Sequence, residues 1–249
     1  MMYEKEDAQV MLSVKNLAFS YKTKDVLKDI SFEVRQGQVM AVLGRNAAGK
    51  TTLINILTGL LEAKEGKIYI CGEDSSQKLS RKARARTGVM RPINGIFEKM
   101  TCYEYLEFIA ALYEVNREAV SALAQKYEFT SELKRKIKEC SAGTRKKIEL
   151  SAAVIHSPAL LFLDEPFESV DPVVVAEIKG YIQSFAESGG AVIITSHILD
   201  IIQNISTDCI IINKGFIEYS AKVNKDIKAG DEEGLERIFL KVISEDEYE

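Results

Sequence analysis

Apolar and polar residues alternate in three segments of the first third of the chain, at 12–19, 30–34 and 67–70. A period of two is typical of strands with one face buried and the other in solvent. Glycine-containing turns follow two of these segments, at 36–37 and 71–72. The pattern therefore predicts an antiparallel sheet.

Four apolar runs lack this alternation and are typical of strands buried on both faces of a parallel sheet. Such a sheet needs helices to cover it, and helical spacing of apolar residues occurs at 143–156, 172–187 and 197–204. The combination predicts an α/β fold with a mostly parallel sheet. The four runs occupy 39–43, 159–163, 191–195 and 209–213.

The segment 91–140 shows helical spacing at 101–113 and 117–127 and no strand pattern. It therefore predicts a helical subdomain inserted into the α/β core of a single domain, 1–249. The predicted boundaries are 10–90 and 141–220 for the core with its antiparallel β subdomain, 91–140 for the helical subdomain, and 221–249 for a C-terminal tail.

Composition restricts the class of protein. The 249 residues are 46% apolar and 28% charged, as in ordinary globular proteins, and a net charge of −4 does not favour nucleic acid as a partner. The acidic segment 1–7 does not resemble a signal peptide, and no apolar run approaches the roughly 18 residues of a membrane span. Any span must then belong to another chain. Four cysteines without C-x-x-C spacing are expected to be reduced and mostly buried.

Residues 44–51, the phosphate loop, match the pattern G-x-x-x-x-G-K-[ST] between the apolar run 39–43 and a helical segment at 52–59. Backbone N–H groups of such a loop face anionic phosphates. Lys50 would reach the β- and γ-phosphates, and the Thr51 hydroxyl would bind Mg²⁺. A chance match in a glycine-rich turn is the alternative, and the flanking elements argue against it. The residues assigned to nucleotide binding are Gly44, Arg45, Asn46, Ala47, Ala48, Gly49, Lys50, Thr51 and Thr52.

Two adjacent acids, Asp164 and Glu165, follow the apolar run at 159–163. Ligands of open parallel sheets lie beyond the carboxyl ends of the strands, so both acids would lie near the phosphates. Asp164 suits Mg²⁺ binding, and Glu165 suits the general base that activates water. Alone, two acids ending a strand in solvent would be the simpler explanation. Together with the phosphate loop they favour a catalytic role.

His197 follows the run 191–195, whose strand should lie beside the one that ends in the two acids, with the imidazole near the γ-phosphate. Most isolated histidines have no catalytic role, and His156, near a predicted helix C-terminus, is assigned only a favourable interaction with the helix dipole.

Ser141 and Gly143 precede a predicted helix. They form either a second anion-binding helix end or an ordinary capped helix.

In their order along nearly the whole chain, these motifs resemble those of the ATP-binding cassette (ABC) ATPases. Residues 44–51 match the Walker A loop, and 160–165 match the Walker B strand with its catalytic glutamate. Ser141 begins Ser-Ala-Gly-Thr where the family has its Ser-Gly-Gly-Gln signature, 23 residues before Asp164. The resemblance implies a P-loop NTPase core that hydrolyses ATP with Mg²⁺. Three further matches are Tyr21 as the residue that stacks on adenine, Asp171 in the D-loop, and His197 as the switch histidine.

The resemblance also implies partners. Family members dimerise head to tail around two ATP molecules, so Ser141 and Gly143 would serve the ATP of a second ABC ATPase chain, in a homodimer or heterodimer. The chain would power a separate transmembrane permease from the cytoplasmic face of the cell membrane. Residues 234–239 resemble the tail of the subfamily that serves multidrug, peptide and polysaccharide exporters. They belong to a predicted short amphipathic helix at 235–243.

Three departures from the family pattern stand out. The Q-loop glutamine expected after 88–90 is replaced by Arg91-Pro92, and no glutamine follows through Met100. The replacement leaves open how tightly Mg²⁺ is held and how the chain is coupled to a transporter. Either an asymmetric pair of cassettes or simple divergence would explain the missing glutamine. Ala47 stands where the Walker A loop usually has glycine, and a positive φ at this alanine would cost about 1 kcal/mol. The other departures are Arg45 and Ala47 in the Walker A loop and Cys140, Ala142 and Thr144 around the signature.

Basic residues cluster at 78–91 and 134–138. The first interpretation of these clusters is a solvated face, and the second is contact with a membrane partner or anionic headgroups. Binding of nucleic acid is the last, because aromatic residues are not interleaved with the basic ones.

Two functions compete with the transporter subunit: a soluble cassette acting on ribosomes, DNA or cofactor assembly, and a regulatory cassette that binds ATP without hydrolysis. The single cassette without coiled-coil or zinc insertions disfavours the first, and Glu165 and His197 disfavour the second.

Overall fold

The computed structural model describes residues 8–223 and 234–244. The strands of these residues form a four-stranded sheet and a six-stranded sheet, and helices pack against them. The strands are β1 (Val10–Tyr21), β2 (Lys24–Arg35), β3 (Val39–Leu43), β4 (Glu65–Ile70), β5 (Glu73–Asp74), β6 (Thr87–Met90), β7 (Leu160–Asp164), β8 (Ala191–Thr195), β9 (Asp208–Asn213) and β10 (Phe216–Lys222).

The helices follow the apolar spacing of the sequence closely. Those predicted at 52–59, 101–113, 117–127, 143–156 and 172–187 are confirmed within three residues at each end. The helices are α1 (Lys50–Leu57), α2 (Arg81–Ala85), α3 (Cys102–Leu112), α4 (Glu118–Lys126), α5 (Ala142–Val154), α6 (Pro172–Glu187), α7 (Leu199–Ile205) and α8 (Leu235–Ser244).

The six-stranded sheet has the order β10-β9-β3-β8-β7-β6, and all neighbours pair in parallel except the edge strand β10. Every residue of β3 and β8 is buried, which explains why these strands lack alternation in the sequence. Asp164 pairs with Thr195 across β7 and β8. The carboxyl ends of β3, β7 and β8 therefore meet at one edge of the sheet.

The four-stranded sheet is antiparallel, in the order β2-β1-β4-β5. Leu12 and Val14 of β1 lie opposite Ile70 and Ile68 of β4, and all four are buried. Their side chains belong to an apolar cluster that also contains residues of α1 and of the six-stranded sheet. This cluster fixes the first sheet against the second.

The helix α3, in the segment 91–140 that is predicted to be helical, begins at a capping box. The Thr101 hydroxyl accepts a hydrogen bond from the Glu104 amide, and the Glu104 carboxylate accepts one from the Thr101 amide at 2.7 Å. Leu106 of α3 is fully buried in the same apolar cluster as Ile148 of α5, and burial of such a side chain contributes about 1.5–3 kcal/mol. The assignment of 91–140 as a subdomain stays a prediction.

Several elements were not predicted. β6 and β10 are edge strands, and β10 alternates between intermediate and exposed residues, so neither has the apolar run of a buried strand. β5 and α2 are too short for a periodic pattern. The helix predicted at 197–204 begins later, at Leu199, because Ser196 to Ile198 form the turn that leaves β8.

His156 makes contacts that the sequence did not predict. Its ring stacks on Tyr113 with centroids 3.7 Å apart, and its Nε2 lies 2.9 Å from the carbonyl oxygen of Thr87. Burial lowers the pKa of His156, although the hydrogen bond to Thr87 raises it. Burial therefore favours the neutral imidazole, which weakens the predicted interaction of His156 with the helix dipole.

The expectation for the cysteines is confirmed, since all four are buried and free. Within the described ranges, no helix has both the length and the apolar character to cross a membrane. The amphipathic helix predicted at 235–243 is α8, which packs Ile238, Phe239 and Val242 on the larger apolar cluster. Residues 224–233 and 245–249, which belong to the predicted C-terminal tail, lie outside the described residues.

Candidate nucleotide site

The candidate site is a cavity of about 990 Å³ at the edge where the parallel strands end. The hairpin of β1 and β2, the phosphate loop and the turns after β7 and β8 surround it. Four lysines and three acids line it, so that it offers both cationic and anionic groups to a ligand. Its lining consists of Tyr21, Lys24, Asp25, Val26, Lys28, Asn46, Ala47, Gly49, Lys50, Thr51, Thr52, Glu165, Glu168, His197, Lys214 and Gly215.

The phosphate loop leads from β3 into α1 through backbone conformations that glycine favours. Gly49, the N-cap of α1, has φ of 112°, and a Cβ there would lie 2.7 Å from Cδ2 of Leu27. Ala47 has φ of 65°, so the loop carries the strain that a positive φ imposes on a non-glycine residue. The loop thus exposes its backbone toward the cavity at some energetic cost.

Lys50 is 8% exposed, and its ammonium folds onto the loop. Its Nζ donates to the carbonyl oxygen of Gly44 at 2.7 Å and to that of Arg45 at 3.2 Å. Burial lowers the pKa of Lys50, while attraction to Glu165 and Asp164 raises it. Lys50 is therefore a largely desolvated cation that is attracted by the carboxylates of Glu165 and Asp164.

Thr195, at the end of β8, organises the two acids at the end of β7. Its hydroxyl donates to Oδ1 of Asp164 at 2.7 Å and accepts from the amide of Glu165 at 3.1 Å. The Glu165 amide also lies 3.2 Å from the Thr195 carbonyl oxygen. Glu165 has φ of 47°, in the left-handed region, which turns its carboxylate away from the strand. Thr195 is fully buried, so this support is rigid.

His197 lies beside Glu165, as the order of the strands predicts. Its Nδ1 is 3.0 Å from Oε2 of Glu165. The His197 side chain is 60% exposed and that of Glu165 is 26% exposed, so the pair is open to the cavity. The structure thereby brings together a carboxylate, an imidazole and, from the phosphate loop, the Lys50 ammonium.

Ser141, Gly143 and Asp171 do not line the cavity. Ser141 is the N-cap of α5 and accepts from the Thr144 amide at 3.1 Å, whereas Gly143 lies inside the first turn rather than before the helix. Asp171 caps α6 by accepting from the Val173 amide at 2.9 Å. A Cβ on Gly143 would lie 2.8 Å from Cγ2 of Val174, so the beginnings of α5 and α6 are in contact.

Arg91, which follows β6, makes contacts that the sequence did not predict. Its Nη1 donates to Oδ1 of Asn55 and its Nη2 donates to Oγ1 of Thr58, each at 2.7 Å. Burial lowers the pKa of Arg91, while Asp164 raises it. The guanidinium therefore connects the segment after β6 to the end of α1 and its C-cap, within the electrostatic reach of Asp164.

Some residues of the cavity lining belong to none of the sequence motifs. Lys24, Lys28 and Lys214 reach the cavity because β2 packs against the turn between β9 and β10, where the Lys28 amide donates to the Gly215 carbonyl oxygen at 2.7 Å. This contact joins distant parts of the chain, so local sequence gives no signal for it. Four predicted residues are not part of the lining: Gly44, Arg45, Ala48 and Asp164.

The oxygen donors of Thr51 and Asp164 suit a magnesium ion. Thr51 and Asp164 supply a hydroxyl and a carboxylate, the hard oxygen ligands that Mg²⁺ prefers. Among residues 8–223 and 234–244, no three His, Cys, Asp or Glu side chains cluster as a complete protein site for a metal. These residues fit an ion that is shared between two protein oxygens, phosphate oxygens and water, as Mg²⁺ commonly is.

Comparisons with known proteins point to one family. A family model described as ABC transporter matches residues 27–168. The lantibiotic transport ATP-binding protein SrtF of Streptococcus pyogenes is 30% identical over 229 residues, which cover 92% of this chain and 96% of the relative. The lipopolysaccharide export system ATP-binding protein LptB of Haemophilus influenzae is 33% identical over 193 residues, which cover 75% and 80%.

A solved structure of an ATP-binding subunit of an ABC transporter superposes on this chain with a TM-score of 0.82. The two chains are 24% identical, and the superposition covers 94% of this chain and 99% of the other. At that identity the superposition establishes the shared fold.

Proposed function

The chain belongs to the ABC transporter family as an ATP-binding, ATP-hydrolysing cassette with a P-loop NTPase fold, and we propose that Lys50, Glu165 and His197 carry its chemistry. The observation that supports this most directly is that these three side chains line one cavity. Asp171 and the signature residues lie outside it, where a second chain could use them.

ATP would occupy the cavity with its base against Tyr21 and its phosphates on the loop from Gly44 to Thr52. Tyr21 is 46% exposed, and its ring meets that of Phe19 edge-on at 4.9 Å, which leaves a ring face for stacking. The Lys50 ammonium would exchange its two loop carbonyls for β- and γ-phosphate oxygens. Loop amides would stabilise the remaining negative charge.

Thr51 and Asp164 would hold Mg²⁺, which neutralises phosphate charge when bound. Glu165 would accept a proton from the attacking water, because its carboxylate faces the cavity from the end of β7. His197 would hold this carboxylate through the 3.0 Å contact and present its other nitrogen to the γ-phosphate. Together these groups would align water with the phosphate.

ABC ATP-binding subunits generally dimerise and work with membrane components. In this chain, Ser141 and Gly143 at the start of α5 would contact the γ-phosphate of an ATP held by the partner, and Asp171 would lie at the same interface. The Thr101–Glu104 helix start and α3 belong to the segment that would receive a transmembrane permease. The chain would then act at the cytoplasmic face of the cell membrane.

An exporter is the transport role that the relatives favour. SrtF is named for lantibiotic transport and LptB for lipopolysaccharide export. The similarity of 234–239 to the tail of exporter cassettes agrees with this direction. The substrate itself would be selected by the permease.

ATP-dependent dimerisation tests this proposal. Ser141→Asp keeps an N-cap residue on α5 but places a negative charge against the phosphate, whereas Ser141→Asn keeps the cap without charge. In a Glu165→Gln background, light scattering with ATP should show dimers for Ser141→Asn and monomers for Ser141→Asp. Dimers for both variants would contradict the role of Ser141.

A further inference from the structure

A buried ion pair lies beneath the proposed base. Lys146 and Glu149 of α5 are 9% and 5% exposed, and Nζ of Lys146 lies 3.4 Å from Oε2 of Glu149. The same Nζ donates to the carbonyl oxygen of Glu165 at 3.2 Å. The helix α5, which begins after Ser141, is therefore hydrogen-bonded directly to the backbone of Glu165, the residue that follows β7.

Glu149 has a second contact, to the segment after β6. Its Oε1 accepts a hydrogen bond from the amide of Ile93 at 3.2 Å. Ile93 is buried and follows Arg91-Pro92, the residues that stand in place of the Q-loop glutamine. Two side chains thus join the segment after β6, the helix α5 and the backbone of Glu165.

Packing alone does not explain an ion pair at this place. Desolvation of a lysine and a glutamate offsets most of their attraction, so that an apolar pair of similar volume is often equally stable. Burial raises the pKa of Glu149, and the Lys146 ammonium lowers it. A costly pair that bonds to two backbone segments is better explained by the position it imposes on them.

Glu165 is the residue that needs such support. Its φ of 47° is unfavourable for a side chain with a Cβ, and other groups must hold it there. Thr195 bonds to its amide, and Lys146 bonds to its carbonyl oxygen. Since both ends of the residue are held, its carboxylate keeps one direction toward the cavity.

We propose that Lys146 and Glu149 are positioning residues for ATP hydrolysis, which align the Glu165 carboxylate and make this alignment depend on the segment around Ile93. The inference rests on the proposed function, because it assumes that Glu165 is the base. A displacement of about 1 Å at a reacting group lowers rates by about 100-fold, so loss of this support acts on turnover. Binding of ATP, which uses the loop at 44–52, should stay unchanged.

The test compares steady-state hydrolysis and ATP affinity among variants. Lys146→Met should lower kcat about 10- to 100-fold with KM for ATP within about twofold, and Lys146→Arg should recover most of the rate. The matched control is Lys147→Met, which removes the neighbouring lysine and its 2.8 Å ion pair with Glu177 and should keep wild-type kcat. Wild-type kcat in Lys146→Met, or equal losses in the two methionine variants, would overturn the inference.

A double variant keeps the test valid if a single change unfolds the chain. Lys146→Met with Glu149→Leu leaves no unpaired buried charge and should melt cooperatively. Its kcat should stay as low as that of Lys146→Met if the pair positions Glu165, and a return to wild-type kcat would show a packing role only. Glu165→Gln separates the two levels: if it keeps full activity, the proposed base is wrong, whereas an inactive Glu165→Gln beside a fully active double variant contradicts only the positioning role.

Discussion

Nδ1 of His197 lies 3.0 Å from Oε2 of Glu165, across the ends of two neighbouring parallel strands. The contact exists because β7 and β8 pair with Asp164 opposite Thr195, so that the residues after each strand emerge side by side. It restricts the rotation of a carboxylate that is otherwise accessible to solvent.

His197→Ala should lower kcat about 10- to 100-fold, because the Glu165 carboxylate loses its partner and the γ-phosphate loses a hydrogen-bond donor. Stability should change little, since the His197 side chain is 60% exposed. His197→Asn, which can still donate to the carboxylate, should retain more activity. Phosphate release at saturating ATP measures both variants, and wild-type turnover in His197→Ala would contradict the assigned role.

Ala47→Gly should stabilise the chain. Ala47 has φ of 65°, and relief of about 1–2 kcal/mol of strain exceeds the entropy that glycine adds to the unfolded chain, for a net gain of about 0.5–1 kcal/mol. Urea unfolding measures the difference. Ala48→Gly is the control: Ala48 has no positive φ and is buried, so its replacement should lower stability. Equal effects of the two changes would show that strain at residue 47 is not the cause.

Arg91→Met should increase the affinity for Mg²⁺. The guanidinium interacts with Asp164, and a cation there opposes a second cation at the same carboxylate. The Mg²⁺ concentration that gives half-maximal hydrolysis should therefore fall. Arg84→Met, which removes an exposed arginine from α2, is the charge-matched control and should leave it unchanged. An unchanged Mg²⁺ requirement in Arg91→Met would separate Arg91 from the metal site.

Protonation of His156 should destabilise the fold in acid. Burial holds its pKa below the ordinary value of about 6.5, so the unfolded chain binds more protons once the pH falls through that value. The free energy of unfolding should then decrease as the pH drops below about 6.5, and this part should be absent in His156→Gln. Urea unfolding of both proteins at pH 7.5 and 5.5 measures it. The same decrease in both would assign the effect to other groups.

Much of the nucleotide site follows from local sequence. The apolar runs at 39–43 and 191–195 coincide with β3 and β8, because strands buried on both faces leave an unmistakable pattern. The rule that ligands lie beyond the carboxyl ends of parallel strands then places Glu165 and His197 together before any coordinates are known. Their hydrogen bond is a consequence of that order.

Contacts between distant segments could not be predicted in this way. In the sequence, nothing distinguishes Lys146 from a lysine on the surface of a helix. Only the packing of α5 against the end of β7 directs its ammonium to the Glu165 carbonyl oxygen. The sequence marks Arg91 as the replacement of a glutamine and as the end of a basic cluster, but its hydrogen bonds to Asn55 and Thr58 depend on how β6 pairs with β7. Sequence periodicity identifies which face is buried, but it does not identify the partner.

The most direct test of the central claim is single-turnover phosphate release from ATP and Mg²⁺ by the wild-type chain and by Glu165→Gln, with ATP affinity measured in parallel. The Gln side chain keeps the size of Glu165 and its contact with His197 but cannot accept the proton of water. The account predicts equal ATP affinity and a rate at least about 100-fold lower in the variant. Release at the wild-type rate by Glu165→Gln would contradict it.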